Sequence, residues 1–169
     1  MGFDLHGMNP VVRKGKVPVE PDGLWSKDVS EKKRNKYYDK KWKFEENNPG
    51  AYFRNNCWWW RPLWDYVYYE CQDILTEKDW ESGHYNDGHE ISEKKAVAIG
   101  KRLNEQIESG RAEAYVKSHE QERKEAKEGN EGLKSGDEGY NWSESYPLSL
   151  ENIQQFAVFC SESGGFTIC

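Results

Sequence analysis

The sequence predicts an α+β fold: a single compact, predominantly helical domain with a small sheet formed by the terminal segments. Three observations support this prediction. First, 169 residues are enough for one domain with a substantial core. Second, the mean hydropathy of −1.07 is low, but 14% of the residues are aromatic, and disordered chains are poor in aromatic residues. Third, apolar residues recur at helical spacing in the middle of the chain, while both ends carry short strand-like runs.

The N-terminal part predicts a strand, an irregular stretch and a helix. In "MGFDLHG", Phe3 and Leu5 alternate with polar neighbours, as in a half-buried strand. Glycines and prolines recur through residues 7–23 and exclude a long helix there. Ser30 is a suitable cap for a helix that begins at Glu31, and "NNPG" ends this helix.

The stretch "FRNNCWWWRPLW", residues 53–64, predicts a junction between an extended segment and a helix. Pro62 suits the first turn of a helix, and apolar residues then recur at helical spacing, so a helix is predicted over 62–75. The run of three tryptophans before it is predicted to be extended, with successive side chains on opposite faces.

The second half of the chain predicts three more helices and two loops. The helices are predicted over 92–109, 111–127 and 149–163. Ser92 and Ser149 are suitable caps for the first and the last of them. The second half of the middle helix lacks apolar residues, so we expect it to project into solvent. Residues 81–92 and the acidic, Gly-rich residues 129–141 predict loops, and the terminal "GFTIC" predicts a short strand.

Composition and motifs argue against several classes of protein. The formal charge of −6 and the pI near 5.4 disfavour a protein that covers nucleic acid or an anionic membrane with its whole surface. No apolar run approaches the roughly 20 residues of a membrane span, and the first residues lack the pattern of a signal peptide. We therefore expect a soluble protein without membrane contact, whose four cysteines are free thiols in the cytoplasm. The absence of Walker, GxGxxG, GxSxG and HExxH motifs disfavours an enzyme with a standard mechanism.

Four segments together resemble a known group of proteins. They are "MGFDLHG" at 1–7, "YFRNNCWWWRPLW" at 52–64, "NDGHEIS" and "AVAIGKRL" within 86–103, and "LSLENIQQFAVFCSESGGF" at 148–166. In this order they are similar to small bacteriophage and prophage-associated proteins without established activity. The resemblance implies a bacteriophage-encoded accessory protein in the cytoplasm of the infected host cell, but it implies no reaction. The basic, aromatic residues 27–47 and the acidic loop 129–141 depart from the pattern of the group, which implies that both are additions.

The first functional hypothesis is that the protein binds a host or phage protein through the Trp-rich segment or through the charged additions. Indole faces and planar guanidinium groups are suited to such contacts. The candidate contact residues are Arg54, Trp58, Trp59, Trp60, Arg61 and Trp64. The alternative is that most of these indoles pack in the core, since tryptophan is highly buried on average.

The second hypothesis is a small-ligand-binding protein or a metal-dependent enzyme with a pocket lined by Trp, Arg and His residues. His84, Asp87 and His89 have suitable chemistry for zinc or another divalent ion. Their spacing matches no known metal motif, so we expect no cofactor, and the alternative is that both histidines are hydrogen-bonded loop residues. The sequence favours a protein that is not an enzyme but leaves catalysis open. The decisive observation is whether Arg54, Arg61, His84 and His89 converge on one cavity.

The third hypothesis is nucleic-acid binding by residues 27–43. Eight Lys or Arg residues and three Asp or Glu residues give this stretch a formal charge of +5. Because aromatic residues are interleaved with the cations, the stretch could follow a phosphate backbone while it stacks on bases. The candidate cations are Lys32, Lys33, Arg34, Lys36, Lys40, Lys41 and Lys43. The alternative, favoured by the net negative charge, is a solvated helix face or an arm held against the acidic rest of the chain.

Overall fold

The computed structural model of the chain describes residues 2–169 and shows an α+β protein that is mostly helical, which confirms the predicted fold class. The strands are β1 (Gly2–Gly7), β2 (Tyr52–Asn56), β3 (His89–Ile91) and β4 (Phe166–Ile168). The helices are α1 (Glu31–Asn47), α2 (Cys57–Glu70), α3 (Glu77–Ser82), α4 (Glu93–Glu108), α5 (Arg111–Gly129) and α6 (Leu150–Glu162), and a 3-10 turn covers Trp142–Ser145. No helix within residues 2–169 is long and apolar enough to cross a membrane.

The sheet is antiparallel and has the strand order β2-β1-β4-β3. Its two central strands are the terminal ones, as predicted, and Leu5 lies opposite Ile168. The internal strands β2 and β3, which were not predicted, supply both edges of the sheet. Strand β3 lies within 81–92, which was predicted as a loop. Its three residues are too few to show a strand period in the sequence.

Helices cover one face of this sheet, and aromatic rings fill the space between the layers. Phe3 of β1 stacks on Trp60 of α2 with ring centroids 5.6 Å apart. On the neighbouring strand, Phe53 packs against Phe156 of α6 at 5.1 Å. Alternation along β1 and β2 therefore directs every second side chain into a core built largely from aromatic residues.

Helices α4 and α6 pack tightly against each other and have the buried stripes that the sequence predicts. The stripes contain Ala96, Ile99 and Leu103 on α4, and Ile153, Phe156, Ala157 and Cys160 on α6. A Cβ atom placed on Gly100 would lie 2.3 Å from Ser161 Oγ and 3.0 Å from the backbone oxygen of Ala157. The lack of a side chain at Gly100 thus permits the close approach of the two helices.

Helix α2 begins at Cys57, so the predictions of an extended Trp run and of a helix that begins at Pro62 are wrong. The side chain of Asn56 accepts hydrogen bonds from the backbone N–H groups of Trp58 and Trp59, at 3.0 and 3.1 Å. This N-cap satisfies two of the free donors at the helix start, which moves the start five residues towards the N-terminus. Pro62 then lies inside the helix.

The second half of α5 does not project freely into solvent, which corrects another prediction. The segment that follows the helix folds back over it, because the guanidinium of Arg123 donates to the backbone oxygen of Glu144 at 3.1 and 3.3 Å. Asn130 and Asn141 close the intervening loop with two hydrogen bonds of 2.8 and 2.7 Å. Ala126 is buried beneath this cover. Helix α3, which was not predicted, is short and is stabilised by a capping box between Thr76 and Asp79.

Helix α1 begins at Glu31 as predicted, although the side chain of Ser30 makes no capping hydrogen bond. Phe44 is its buried residue, so the helix contributes little to the core. The preceding residues 8–29 form no regular helix or strand and run alongside it as an arm.

Candidate functional site

A cleft of about 580 Å³ lies between α2, α3, α5 and the 3-10 turn. We call it the arginine–histidine cleft. It is lined by Arg61, Pro62, Asp65, Trp80, His84, Tyr85, Tyr115, His119, Glu122, Arg123, Ser143 and Tyr146. The lining combines cations, acids, imidazoles and aromatic rings, which is the composition expected of a pocket that orients a small molecule.

One wall of the cleft is the polar face of α2. Arg61 and Asp65 are four residues apart and therefore project from the same side of this helix. The cap at Asn56 sets where the helix begins, and with it which tryptophans face inwards. Trp60 is completely buried, whereas Trp58 is 40% exposed and packs against Tyr146 at 5.3 Å.

The buried tryptophans position the opposite wall. Trp60 Nε1 donates a hydrogen bond of 2.7 Å to the backbone oxygen of Gly83, and Trp64 Nε1 donates one of 3.1 Å to the backbone oxygen of Trp80. A Cβ atom on Gly83 would lie only 2.0 Å from Trp64 Nε1, so this position requires glycine. His84 follows directly, and its place in the cleft is therefore determined by the two indoles.

Asp65 links the two walls. It accepts a 2.8 Å hydrogen bond at Oδ1 from Trp80 Nε1. The same oxygen lies 3.1 Å from His84 Nε2, a close electrostatic contact without hydrogen-bond geometry. The ring of His84 stands edge-on to Trp80, with centroids 5.2 Å apart and an interplanar angle of 85°. The carboxylate thus restrains an aromatic ring and an imidazole at the same edge of the cleft.

Helix α5 supplies the third wall, with Tyr115, His119, Glu122 and Arg123. Burial lowers the pKa of His119, and the nearby Arg123 lowers it further, while Glu122 acts in the opposite direction. The His119 imidazole is therefore neutral at neutral pH. Arg123 is engaged by Glu120 at 2.6 Å and by the backbone of the covering segment, so it mainly organises this wall.

Three buried polar atoms in the cleft lining have no hydrogen-bond partner in the described protein. They are Arg61 Nε, His84 Nε2 and His119 Nδ1. Arg61 forms no ion pair within residues 2–169 and donates only one long hydrogen bond, from Nη1 to Tyr146 Oη at 3.3 Å. Buried polar groups in proteins are nearly always paired, so a cluster of unpaired ones points to water or a ligand that completes their bonding.

The structure brings only part of the predicted pocket together. Arg61 and His84 share the cleft. Arg54 instead lies on β2 with Nε 3.4 Å from Asp4 Oδ1, and His89 lies elsewhere on β3. Trp59 lines a separate, shallow groove between β2 and α6. Of the four residues predicted to converge on one cavity, two therefore line the cleft and two lie elsewhere.

The predicted metal ligands have other partners. His89 Nε2 lies 3.0 Å from Asp79 Oδ1, and Asp87 accepts a hydrogen bond of 3.1 Å from the backbone N–H of His89. Burial would raise the pKa of the Asp79 carboxyl, but hydrogen bonds from Lys95, Thr76 and His89 together lower it, so it is charged. Within residues 2–169 no three His, Cys, Asp or Glu side chains are grouped to hold a metal ion, so His84, Asp87 and His89 are not assembled as a site.

The predicted nucleic-acid residues divide between two sides of α1. Lys33, Lys36, Lys40 and Lys43 face a groove beside the arm. The other three do not line this groove. Arg34 donates to the backbone oxygens of Leu24 and Ser26, and Lys41 lies 3.7 Å from Glu45. Lys32 lines a neighbouring surface pocket together with Lys36 and Asp39.

Sequence reasoning missed the contribution of α5 and of the segment after it. Tyr115 and His119 had one usable signal, namely their spacing of one helical turn. Tyr146 had none, because its place in the cleft depends on how residues 130–146 fold back over α5.

No family model, no curated protein and no solved structure matches this chain. The resemblance to phage-associated proteins therefore stays a prediction. The function of the cleft is therefore inferred from its own residues and not from a relative.

Proposed function

We propose that the protein binds a small molecule with one anionic group and a planar ring in the arginine–histidine cleft. The observation that carries this proposal is that three residues with a buried polar atom lacking a hydrogen bond, from α2, the turn after α3 and α5, line one cavity. His84 Nε2 is offset by Asp65 Oδ1 at 3.1 Å, so Arg61 and His119 are the residues whose missing partner matters most. An unpaired buried polar atom costs free energy, on the order of 1–3 kcal/mol, which favours a ligand that bonds to these side chains.

Arg61 is the group for the anionic end of the ligand. A guanidinium presents planar donors that match a carboxylate or a phosphate oxygen pair. Arg61 has no competing carboxylate partner in the described chain, in contrast to Arg102, which pairs with Asp73 at 2.9 Å. The neutral His119 beside it can donate or accept a hydrogen bond without adding charge.

The remainder of the lining defines the other end of the ligand. Trp80, Tyr85, Tyr115 and Tyr146 provide aromatic surface for a ring. Asp65 and Glu122 repel a second anionic group and suit a hydroxyl or amino substituent instead. The ligand class is therefore a ring carboxylate or ring monophosphate with polar substituents, and a polyanion is disfavoured.

The same cleft supports an enzyme as a second candidate. The specific observation is a carboxylate beside an imidazole, with Asp65 Oδ1 3.1 Å from His84 Nε2, opposite the neutral imidazole of His119. Proton transfer to and from a bound substrate uses groups of this kind. Conversion of a bound ring compound, followed by NMR, separates catalysis from binding alone.

The partner-binding role in a bacteriophage context stays a prediction. Of the residues predicted for it, Arg54 and Trp58 are exposed, whereas Trp60 and Trp64 are fully buried. The buried pair fixes the cleft wall through hydrogen bonds to Gly83 and Trp80.

The test compares Arg61→Gln with Arg54→Gln, an equal change at an exposed arginine of the same segment. Nucleoside monophosphates and hydroxybenzoates are titrated against the protein, beside the matching nucleosides and hydroxybenzamides, by calorimetry and by NMR of the Trp80 indole N–H. We expect the anionic probes to bind and Arg61→Gln to weaken binding at least about tenfold, the effect of one charged hydrogen bond. Arg54→Gln should leave the affinity unchanged. Equal responses to charged and uncharged probes, or equal effects of the two variants, would overturn the proposal.

A further inference from the structure

A second concave surface, of about 720 Å³, lies between α1 and residues 14–21 of the arm. We call it the lysine groove. It is lined by six lysines: Lys14, Lys16, Lys33, Lys36, Lys40 and Lys43. No Asp or Glu lines it. A groove with one sign of charge on both sides selects an anionic ligand.

The lysines are arranged in a row. Lys33, Lys36, Lys40 and Lys43 recur at spacings of three and four residues, so they lie along one face of α1. At a rise of about 1.5 Å per residue, the row is about 15 Å long. Lys14 and Lys16 face it from the arm. A row of this length suits an extended polyanion better than a single phosphate group.

Hydrogen bonds join the arm to α1 and to the residue after it on both sides of the groove. At one end, the fully buried side chain of Asn48 accepts from the backbone N–H groups of Arg13 and Lys14, at 2.6 and 3.0 Å. It also donates to the backbone oxygen of Lys14 at 2.9 Å. At the other end, Arg34 donates to the backbone oxygens of Leu24 and Ser26, at 3.0 and 2.8 Å. The arm is therefore fixed on α1 before any ligand binds.

The groove lysines are not neutralised by the acidic remainder of the chain. Within residues 2–169, none of the six lies within ion-pair distance of a carboxylate. Arg13 pairs with Glu162 and Lys41 pairs with Glu45, but neither cation lines the groove. An arm held against acidic residues of its own chain would have its charge neutralised. The six groove lysines, in contrast, keep their positive charge free for a ligand.

One aromatic side chain of α1 belongs to the groove. Tyr37 lines it, whereas Trp25, Tyr38 and Trp42 form a series on another side of the helix, with ring centroids 6.2 and 6.0 Å apart. Trp25 is 70% exposed and Trp42 is 63% exposed. The two indoles are therefore not part of the groove, whose stacking surface is Tyr37. A groove of cations that also contains an aromatic ring is suited to single-stranded nucleic acid, because the cations contact phosphates and the ring stacks on a base.

We infer that the lysine groove binds single-stranded nucleic acid without sequence specificity, at a site independent of the cleft. The lysines would contact phosphates, and Tyr37 would stack on an unpaired base. Single strands are favoured over duplexes because paired bases do not expose their faces to stacking. They are favoured over acidic peptides because carboxylate chains offer the Tyr37 ring no partner.

The test is fluorescence anisotropy with a dye-labelled oligothymidylate of about fifteen nucleotides, a length within the site sizes of known single-strand binders. The test variant is Lys36→Gln/Lys40→Gln, and the matched control is Lys124→Gln/Lys127→Gln, which removes two exposed lysines of α5. We expect the test variant to bind about tenfold more weakly at low salt and to reduce the slope of log affinity against log salt by about 1.4. The control should bind like the unchanged protein.

Further measurements separate the alternatives. Tyr37→Ala should weaken binding about tenfold, the effect of one lost base stack. Trp42→Ala, on another side of the helix, and Arg61→Gln, in the cleft, should not change it, so that failure of the cleft proposal leaves this one intact. Absence of oligothymidylate binding at low salt, equal losses in both lysine variants, or no effect of Tyr37→Ala would overturn the inference. Equally tight binding of a polyglutamate peptide or of a blunt duplex would overturn it in favour of those ligands.

Discussion

The arginine–histidine cleft and the lysine groove differ in how the chain builds them. The cleft takes its lining from α2, α3, α5 and the segment after α5, and it mixes both signs of charge with partly buried polar groups. The groove is built from residues 14–47 alone and carries only positive charge, on exposed side chains. A lining of mixed charge selects the substituents of a ligand, whereas a lining of uniform charge selects the ligand's charge.

The difference also has consequences for stability. The walls of the cleft belong to the core of the molecule, because Trp60 and Trp64 are buried and are hydrogen-bonded to the turn that carries His84. Helix α1 buries one side chain, Phe44. Substitutions near the cleft should therefore lower the free energy of unfolding, and substitutions in the groove should change binding alone.

The largest expected effect comes from Asp79→Ala. This side chain is nearly inaccessible and contacts Lys95 at 2.5 Å, His89 at 3.0 Å and the Thr76 cap. Its removal leaves the partly buried Lys95 and His89 without their carboxylate and removes the capping box of α3, so we expect the free energy of unfolding to fall by about 3 kcal/mol in urea denaturation. Asp73→Ala removes an exposed partner of Arg102 and should cost less than about 1 kcal/mol. Similar losses in the two variants would show that the Asp79 cluster does not support the cleft wall.

Gly83→Ala should have the next largest effect. Its new methyl group would overlap the Trp64 indole, where a Cβ atom lies 2.0 Å from Nε1, and overpacking of a core costs roughly 1–3 kcal/mol. We expect a lower melting temperature and weaker ligand binding in the cleft, with unchanged oligothymidylate binding. Gly129→Ala is the matched control, since a Cβ atom there has no neighbour within 4 Å. A stable Gly83→Ala variant with an intact cleft would contradict the close contact with Trp64.

The pH dependence of stability should depend on His119 in the cleft and on His6 beside the basic helix. The pKa of His119 is lowered mainly by burial, and that of His6 by burial and by Lys41. The unfolded chain therefore takes up protons first as the pH falls. Stability should decrease below about pH 6.5, the ordinary pKa of histidine, and continue to decrease through the lower pKa of the folded state.

Urea denaturation at pH 7.5 and pH 5 measures this decrease. We expect His119→Gln and His6→Gln each to lose less free energy of unfolding between the two pH values than the unchanged protein, and the double variant to lose least. An equal loss in all four proteins would show that neither imidazole is kept neutral by the fold.

The smallest expected effect on stability is that of Trp42→Ala. Because this indole is 63% exposed and lies on the weakly packed helix α1, we expect the free energy of unfolding to change by no more than about 0.5 kcal/mol. Trp60→Ala, in contrast, should cost about 3–5 kcal/mol, since Trp60 is completely buried. A large loss of stability in Trp42→Ala would indicate that this exposed ring stabilises the fold. The two regions would then no longer differ in their contribution to stability.

The fold was predictable where local signals agree with the packing. The side-chain oxygens of Ser92 and Ser149 accept hydrogen bonds from backbone N–H groups in the first turns of α4 and α6, as expected. The start of α2 was predictable in principle, because Asn56 is a good N-cap, but Pro62 offered a competing start that suits the first turn equally well. Strand β3 and helix α3 were not predictable, since segments of three and six residues carry too little periodicity.

The charge and the aromatic content of residues 27–43, and the predominantly helical α+β class, follow from the sequence by itself, because composition and periodicity are local properties of the chain. Only the tertiary structure decided that Arg61 and His84 meet His119 and Tyr146, while Arg54 and His89 are directed elsewhere. Arg61 and Tyr146 are 85 residues apart, and no pattern in the sequence relates them. Their proximity arises from the packing of whole helices, which is decided by the burial of Trp60 and Trp64 and not by either polar side chain.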